Sequence, residues 1–348
     1  MTAWWQGPIQ EPDKTYEQKA LARQMQLTKP PGSLGRLETL AVTLASHQET
    51  DIPSADKVAV RIFAADHGVT EENISAFPQA VTIEMIRNFA GGGAAISVMS
   101  KELGADFQVV NVGAASPVDD QPDLLNTPIA AGTANFCQQA AMTEVEFESA
   151  LLLGKQVVDQ LVQQGPQLFI GGEMGIGNTT SAAAIAGALI EGDSDTLVGL
   201  GTGVDTAGLQ RKQAAVKRGL ALHKQVLGNP MEALRCLGGL EIAALTGAYL
   251  RCGQLGITVL VDGFICSVAA LVAVRFNAAL RPWLLFSHQS AESGHQNVLE
   301  SLQAEPLLSM GLRLGEGSGA ATALPLLRLA CSLHNKMATF ESAGVSQG

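Results

Sequence analysis

Two glutamates stand in glycine-rich turns, Glu173 in GGEMGIGNTT (171–180) and Glu316 in RLGEGSGAA (313–321). Flanking glycines let a ligand come close to such a carboxylate. Two carboxylates that face one pocket raise the pKa of at least one of them, which suits a general base near neutrality. The turn around Glu173 offers a second chemistry. An apolar run at 167–170 precedes it, and an Ala-rich, helix-favouring run at 181–190 follows. A strand-to-helix turn of this kind aims backbone N–H groups at an anion, and phosphate is the expected ligand. Thr179 and Thr180 are expected to cap that helix and to add hydroxyl donors. A carboxylate repels phosphate, so Glu173 points to work on a neighbouring, electron-poor centre.

Spelling narrows the phosphate. A nucleoside triphosphate loop needs G-x-x-x-x-G-K-[ST], and here Asn178 stands where the lysine belongs. The dinucleotide fingerprint G-x-G-x-x-G is missing both from this turn and from GLGTGVD at 199–205. A monophosphate is the remaining reading, beside the plain one of a turn that only reverses the chain. GLGTGVD is a second candidate anion turn, with Lys212 in the helix after it; by itself Lys212 reads equally as an exposed lysine beside Arg211. His288, Glu292 and His295 are spaced i, i+4 and i+7, which would put them on one helical face as metal ligands. Hydrogen-bonded polar residues at a domain junction are the commoner outcome, and no metal is expected. Asp66-His67 reads as a catalytic pair or as a hydrogen-bonded strand end. In residues 74–96, Phe77, Met85 and Phe89 mix with Ser75 and Gln79, which suits a flat apolar ring with polar edges or, equally, a loop and a core helix.

The elements that must position these residues can be read from apolar runs. Six of them, at 58–65, 107–112, 167–170, 196–200, 257–261 and 283–286, end in small or polar residues. Helix-like segments such as 144–164 and 206–226 lie between most of them. This order predicts an α/β fold, a six-stranded, mainly parallel sheet with helices on both faces and ligands at the carboxyl ends of its strands. Segments 15–26 and 37–48 look helical, as do 292–303 and 320–334. The expected division is a large α/β domain over 55–287 and a small helical domain from 1–54 with 288–348, with 341–348 frayed.

Composition sets the outer bounds. The chain has 348 residues, 47% hydrophobic and only 16% charged, and so has much to bury. A net charge of −11 argues against nucleic acid as a partner. Five cysteines without a C-x-x-C pair fit a reducing compartment. The first residues show no basic segment leading into an apolar one, and the apolar stretch 257–274 is interrupted by Asp262-Gly263. A soluble, cytoplasmic protein without membrane association is expected.

Taken together, these motifs resemble the nicotinate-nucleotide–dimethylbenzimidazole phosphoribosyltransferase family of the cobalamin lower-ligand pathway. The blocks that carry the resemblance run in order from KPPGSLGRLE (29–38) and ADHGV (65–69) through GGEMGIGNTT, GLGTGVD, GGLEIAALTGA (238–248) and DGFI (262–265) to SHQSAESGH (287–295) and GLRLGEGSGAA (311–321). The resemblance implies transfer of phosphoribose from nicotinate mononucleotide to a benzimidazole, with Glu316 as general base and Glu173 beside it, able to steady oxocarbenium-like charge. It implies that Gly175, Ile176, Gly177, Asn178, Thr179, Thr180, Gly201, Gly203, Lys212 and Asp262 hold the nucleotide and its phosphate. Ser75, Phe77, Gln79 and Leu314 would line the base pocket. A homodimer and no cofactor are also implied. Asn111, Glu84 and Ser318 depart from the family pattern, where Asp, Gln and Thr are usual. Two readings from other classes stand beside this one: another phosphate-handling enzyme such as a kinase, and a non-catalytic binder of nucleotides or aromatic bases.

Overall fold

In the computed structural model, which describes residues 3–201 and 203–346, side chains along the first strand divide by parity. Strand β1 (Val58–Ala65) sends Val60, Ile62 and Ala64 into one buried cluster and Ala59, Phe63 and Ala65 into another. A strand apolar on both faces belongs in the middle of a covered sheet. β2 (Asp106–Gly113), β3 (Leu124–Asn126), β4 (Leu168–Met174), β5 (Thr258–Val261) and β6 (Leu284–Phe286) complete it. The order is β3-β2-β1-β4-β5-β6, and every pairing is parallel. Strand order reverses between β1 and β4, so the connections leaving their carboxyl ends diverge, where such sheets form a crevice. The count of six strands and the doubly covered parallel sheet agree with the sequence expectation.

One strand is misassigned by the sequence reading. Residues 196–200 do not enter the sheet; Ser194–Leu197 is a 3₁₀ turn in which Asp193 accepts the Asp195 N–H at 3.0 Å. An aspartate that satisfies the following backbone competes with strand pairing. The sixth strand is instead β3, three half-buried residues on the sheet edge, where the Asn111 amide donates to Asn126 at 2.8 Å.

Helices α1 (Lys14–Gln26), α2 (Arg36–His47), α3 (Ala80–Ala90), α4 (Ala95–Glu102), α5 (Glu144–Leu161), α6 (Asn178–Leu189) and α7 (Thr206–His223) occupy the first two thirds of the chain. They are followed by α8 (Pro230–Leu237), α9 (Leu240–Leu255), α10 (Phe264–Phe276), α11 (His295–Ser301), α12 (Ser318–Lys336) and α13 (Phe340–Ala343). Residues of α5, α6, α8, α9 and α10 bury against one face of the sheet; those of α2, α3, α4 and α12 bury against the other. The two chain ends meet: Arg23 of α1 donates to the His334 and Asn335 carbonyls, and Leu27 bridges Thr339. Leu40 and Leu44 of α2 and Leu324 and Leu327 of α12 share one buried cluster with Val60 and Ile62.

Two further expectations change. The segment 341–348 is ordered at its start, where α13 is closed by a capping box between Thr339 and Ser342; Gln347 and Gly348 lie outside the described residues. The helix expected at 292–303 begins only at His295. Among the described residues no helix is long and apolar enough to cross a membrane.

Candidate active site

A cavity of about 210 Å³ opens at the carboxyl ends of β4 and β5, and both glutamates line it. Glu173 is the last residue but one of β4, paired across the ladder with Phe63. Glu316 sits in the turn that starts α12, at φ +62° between Gly315 at +83° and Gly317 at +79°. A left-handed, non-glycine residue costs roughly 1–2 kcal/mol, and such strain collects at functional sites. The turn also presses on the strand. A Cβ on Gly172 would lie 2.7 Å from the Glu316 carbonyl carbon and 2.5 Å from Ile62 Cδ1, so only glycine fits there. This close approach brings the two carboxylates together.

Their environments separate their acidities. Glu316 is raised to about 7, first by burial and then by the negative charge of Asp262. Glu173 is pushed well above the usual carboxylate range by burial, and further by Asp262, Glu241 and Glu316. The Asn178 side-chain amide donates to its Oε2, and a backbone hydrogen bond from Glu316 works the other way, to lower it. Burial and neighbouring carboxylates thus favour the protonated form of Glu173, while Glu316 titrates near 7.

Beside this cavity lies a smaller one of about 30 Å³, formed by the 175–179 turn, Ile74, Ser75, Leu200, Val204 and Lys212. Lys212 is only 2% exposed, which decides against an idle surface lysine. Its ammonium donates to the Gly199 carbonyl at 2.8 Å and to the Thr179 hydroxyl at 3.0 Å. Burial lowers it to about 8, with Glu292 pulling it back up. A cation held by two neutral acceptors at the start of α6 is a site for an anion.

The sequence-derived residues divide by location. Glu173, Glu316, Gly175, Ile176, Asn178, Thr179, Gly201, Phe77 and Leu314 line the larger cavity; Gly177, Ser75 and Lys212 line the smaller one. Ser75 thus faces the smaller cavity rather than the larger one, and its hydroxyl accepts the Phe77 N–H at 3.1 Å. Gln79 lines neither cavity, because its amide donates to the His67 carbonyl at 3.0 Å. Thr180 turns into the core, where its hydroxyl has no partner. Neither Thr180 nor Thr179 caps α6, whose N-cap is Gly177 at φ +101°. Gly203 lies on the outer side of its turn, whose neighbour Thr202 lies outside the described residues. Asp262 reaches neither cavity. Its two oxygens accept the Gly317 and Ala320 N–H groups at 3.0 and 2.9 Å, capping α12.

The metal arrangement does not form. Residues 288–294 are not helical, His295 is held by Ser267 and the Ser290 N–H, and Glu292 lines the cavity. Among the described residues no group of three His, Cys, Asp or Glu side chains could hold a metal ion. Ser290, Phe264, Ile265, Val81 and Arg313 also reach the larger cavity and were not singled out as site residues from sequence. The signal was present in part: DGFI and SHQSAESGH follow β5 and β6 directly, where an α/β sheet collects its ligands.

Comparison with known proteins gives a consistent picture. A family described as phosphoribosyltransferase matches residues 9–345. The chain is 58% identical over 343 residues to nicotinate-nucleotide–dimethylbenzimidazole phosphoribosyltransferase of Pseudomonas putida (strain W619), covering 99% of this chain and 98% of that one. It is 57% identical, with the same coverage, to the protein of that name from Pseudomonas aeruginosa (strain PAO1). The crystal structure of the Thermus thermophilus protein of that name superposes with a TM-score of 0.91 at 42% identity, covering 97% of this chain and 100% of the other.

Proposed function

This chain belongs to the nicotinate-nucleotide–dimethylbenzimidazole phosphoribosyltransferase family, and from that membership we propose the following mechanism for its site. The reaction moves phosphoribose from nicotinate mononucleotide to 5,6-dimethylbenzimidazole or a related base, releasing nicotinate and forming α-ribazole 5′-phosphate. The donor's ring is a pyridinium. When its bond to the sugar breaks, the electron pair returns to the ring nitrogen, so departure needs neither a metal ion nor an acid. The acceptor attacks through its unprotonated nitrogen from the opposite face, which inverts the anomeric carbon. Its other nitrogen gives up a proton to Glu316. That transfer pushes electron density across the ring toward the attacking atom.

The observation that carries this reading is the position and acidity of Glu316: it is raised to about 7 and lies on the cavity wall. A base of that strength is half ionised near neutrality and still accepts a proton readily. Burial and its acidic neighbours raise Glu173 and favour its protonated form. Positive charge arriving at the sugar favours its ionised form, which in turn steadies that charge. Lys212, Thr179 and the start of α6 hold the 5′-phosphate in the smaller cavity, with Ser75 at its edge. Phe77, Val81, Met85 and Leu314 offer the flat apolar walls that an aromatic base requires.

Two organisational features complete the reading. The terminal segments, 1–54 with 288–348, form a small helical domain beside the α/β domain of 55–287. The protein is a cytoplasmic homodimer, and the half-exposed Phe77 and Leu314 at the cavity mouth, 47% and 58% accessible, are apolar surface suited to cover. Light scattering of the purified protein tests the dimer. The function is tested by incubation with nicotinate mononucleotide and 5,6-dimethylbenzimidazole without added metal, followed by mass spectrometry. Nicotinate and ribazole phosphate are expected together; neither product, from folded protein offered a panel of bases, would overturn the reading.

A further inference from the structure

Asp66 and His67, at the carboxyl end of β1, are fully buried and line neither cavity. Two lines of hydrogen bonds nevertheless run from them to the phosphate turn. In the first, Asp66 Oδ1 accepts the Thr82 hydroxyl at 2.7 Å, and Thr82 Oγ1 accepts the Ile176 N–H at 3.2 Å. Asp66 Oδ2 is fixed by the Ala115 N–H at 2.8 Å. Because Thr82 gives its single proton to the carboxylate, its lone pairs face the Ile176 N–H, and the direction of this line is set. In the second, the His67 ring lies between Ser181 and Glu241, with Nδ1 2.9 Å from Ser181 Oγ and Nε2 2.7 Å from Glu241 Oε1. Ser181 stands on the first turn of α6. The turn is also seated directly on this pair: a Cβ on Gly175 would come within 2.3 Å of the Ala65 carbonyl and 3.2 Å of His67 Nε2.

We propose that Asp66, Thr82, His67 and Ser181 are positioning residues that hold the 175–181 turn and the start of α6 in register for the 5′-phosphate. The proposal rests on the phosphate assignment made above. Ordinary core packing would need apolar contact here; instead these four polar side chains, with Glu241 of α9 behind the imidazole, are buried to hold one backbone N–H and one helix start. Ile176 contributes its N–H to this frame rather than to the ligand. The Asn178 and Thr180 N–H groups are likewise used within the turn, on the Gly175 and Gly177 carbonyls. The cradle therefore depends on how the turn is held, because few of its donors are free to adapt. A misplacement of about 1 Å at a binding group can cost up to ~10²-fold.

The test is T82V, which removes the hydroxyl and keeps the side chain's size, with T82S as the conservative control. Expected for T82V are an about tenfold higher KM for nicotinate mononucleotide, with kcat and the KM for the base within about threefold, and near-native values for T82S. The dissociation constant of ribose 5-phosphate, measured by calorimetry, should rise by the same factor. An unchanged nucleotide KM, or an equal effect on base and nucleotide, would overturn the proposal. So would a failure of T82S to restore binding while it melts like wild type. If T82V does not fold, S181A carries the same comparison through the second line. Absence of nicotinate release by the wild-type protein would undo the functional reading instead, and the ribose 5-phosphate titration would still decide whether the turn is tethered.

Discussion

Two glycine-rich turns launch helices into the same cavity, and they treat the positive end of the helix in opposite ways. Both α6 and α12 begin after a left-handed glycine, Gly177 at φ +101° and Gly317 at +79°, and neither has a side-chain cap at that position. At α6 no acidic residue stands in the first turn, and Lys212 adds a cation beside it. At α12 the Asp262 carboxylate takes the Gly317 and Ala320 N–H groups from below. The field that favours negative charge at a helix start is thus left open at one turn and cancelled at the other. Phosphate needs the first condition. A carboxylate meant to hold a proton near neutrality needs the second, and the charge of Asp262 pushes Glu316 further the same way. On the proposed reading, one local shape serves as an anion cradle or carries a general base according to a single buried aspartate.

The largest test of this contrast is Glu316→Gln. It should lower kcat by roughly 10²–10⁴-fold with little change in nucleotide KM. Near-native turnover would show that the base lies elsewhere. In the wild-type protein kcat should rise with pH through about 7, as Glu316 loses its proton. The same group gives a stability signature. Its folded pKa lies above its ordinary value of 4.5, so its contribution is full below about 4.5 and is lost as pH rises through about 7. Glu316→Gln should consequently melt above wild type at pH 8 and lose that advantage near pH 4, as read by calorimetry.

At the other turn, Lys212→Ala should raise the nucleotide KM about 10–100-fold, the range expected for a lost charge-assisted hydrogen bond, while kcat changes little. Because Lys212 is lowered to about 8, the wild-type KM should climb above that pH as the ammonium is neutralised. An unchanged KM in steady-state kinetics would remove the lysine from the phosphate site. Asp262→Asn is the variant that should make the two turns more alike. It removes the charge beneath Glu316, so the acid limb of the kcat profile should move to lower pH, and it should cost about 1–3 kcal/mol through the weakened cap. A limb that stays in place would sink the electrostatic account. The smallest effect is expected from Ser318→Ala, whose hydroxyl donates to the Gly315 carbonyl at 2.7 Å. Loss of that bond should lower stability by about 1 kcal/mol, measured by urea denaturation, with kcat almost unchanged.

How far the sequence foretold these elements follows from the reach of each signal. β1 and β4 were readable because a doubly buried strand is a continuous apolar run. The polar segment DHGVTE after β1 and the turn after β4 marked the crevice, since strand ends are where such folds bind ligands. β3 left no trace, because three half-buried residues beside Asp123 and Thr127 carry no periodicity. The run at 196–200 misled for the converse reason: its apolar residues are real, but Asp193 upstream commits the backbone to a turn. Lys212 could not be distinguished from Arg211 by helix period alone; the structure buries one and leaves the other exposed, donating to the Asn73 carbonyl. Glu292 was noticed for the wrong partner, since its approach to the cavity depends on an irregular segment no helical wheel describes. Asp262 gives the plainest limit. The family resemblance implied a ligand contact for it, whereas its acceptors are spent on a helix much further along the chain.

The close approach at Gly172 has a consequence for how such a protein can diversify. Strand β4 and the 315–317 turn touch backbone to backbone there, so the two carboxylates are mounted on one inflexible seam. The apolar walls proposed to meet the incoming base are mounted differently: Phe77 precedes α3 in an exposed loop, and Leu314 stands on the outer side of its turn. Substitutions at the rim can alter which ring is admitted without disturbing the seam. A lineage under pressure to accept a new aromatic acceptor could vary those walls freely while inheriting the paired carboxylates intact.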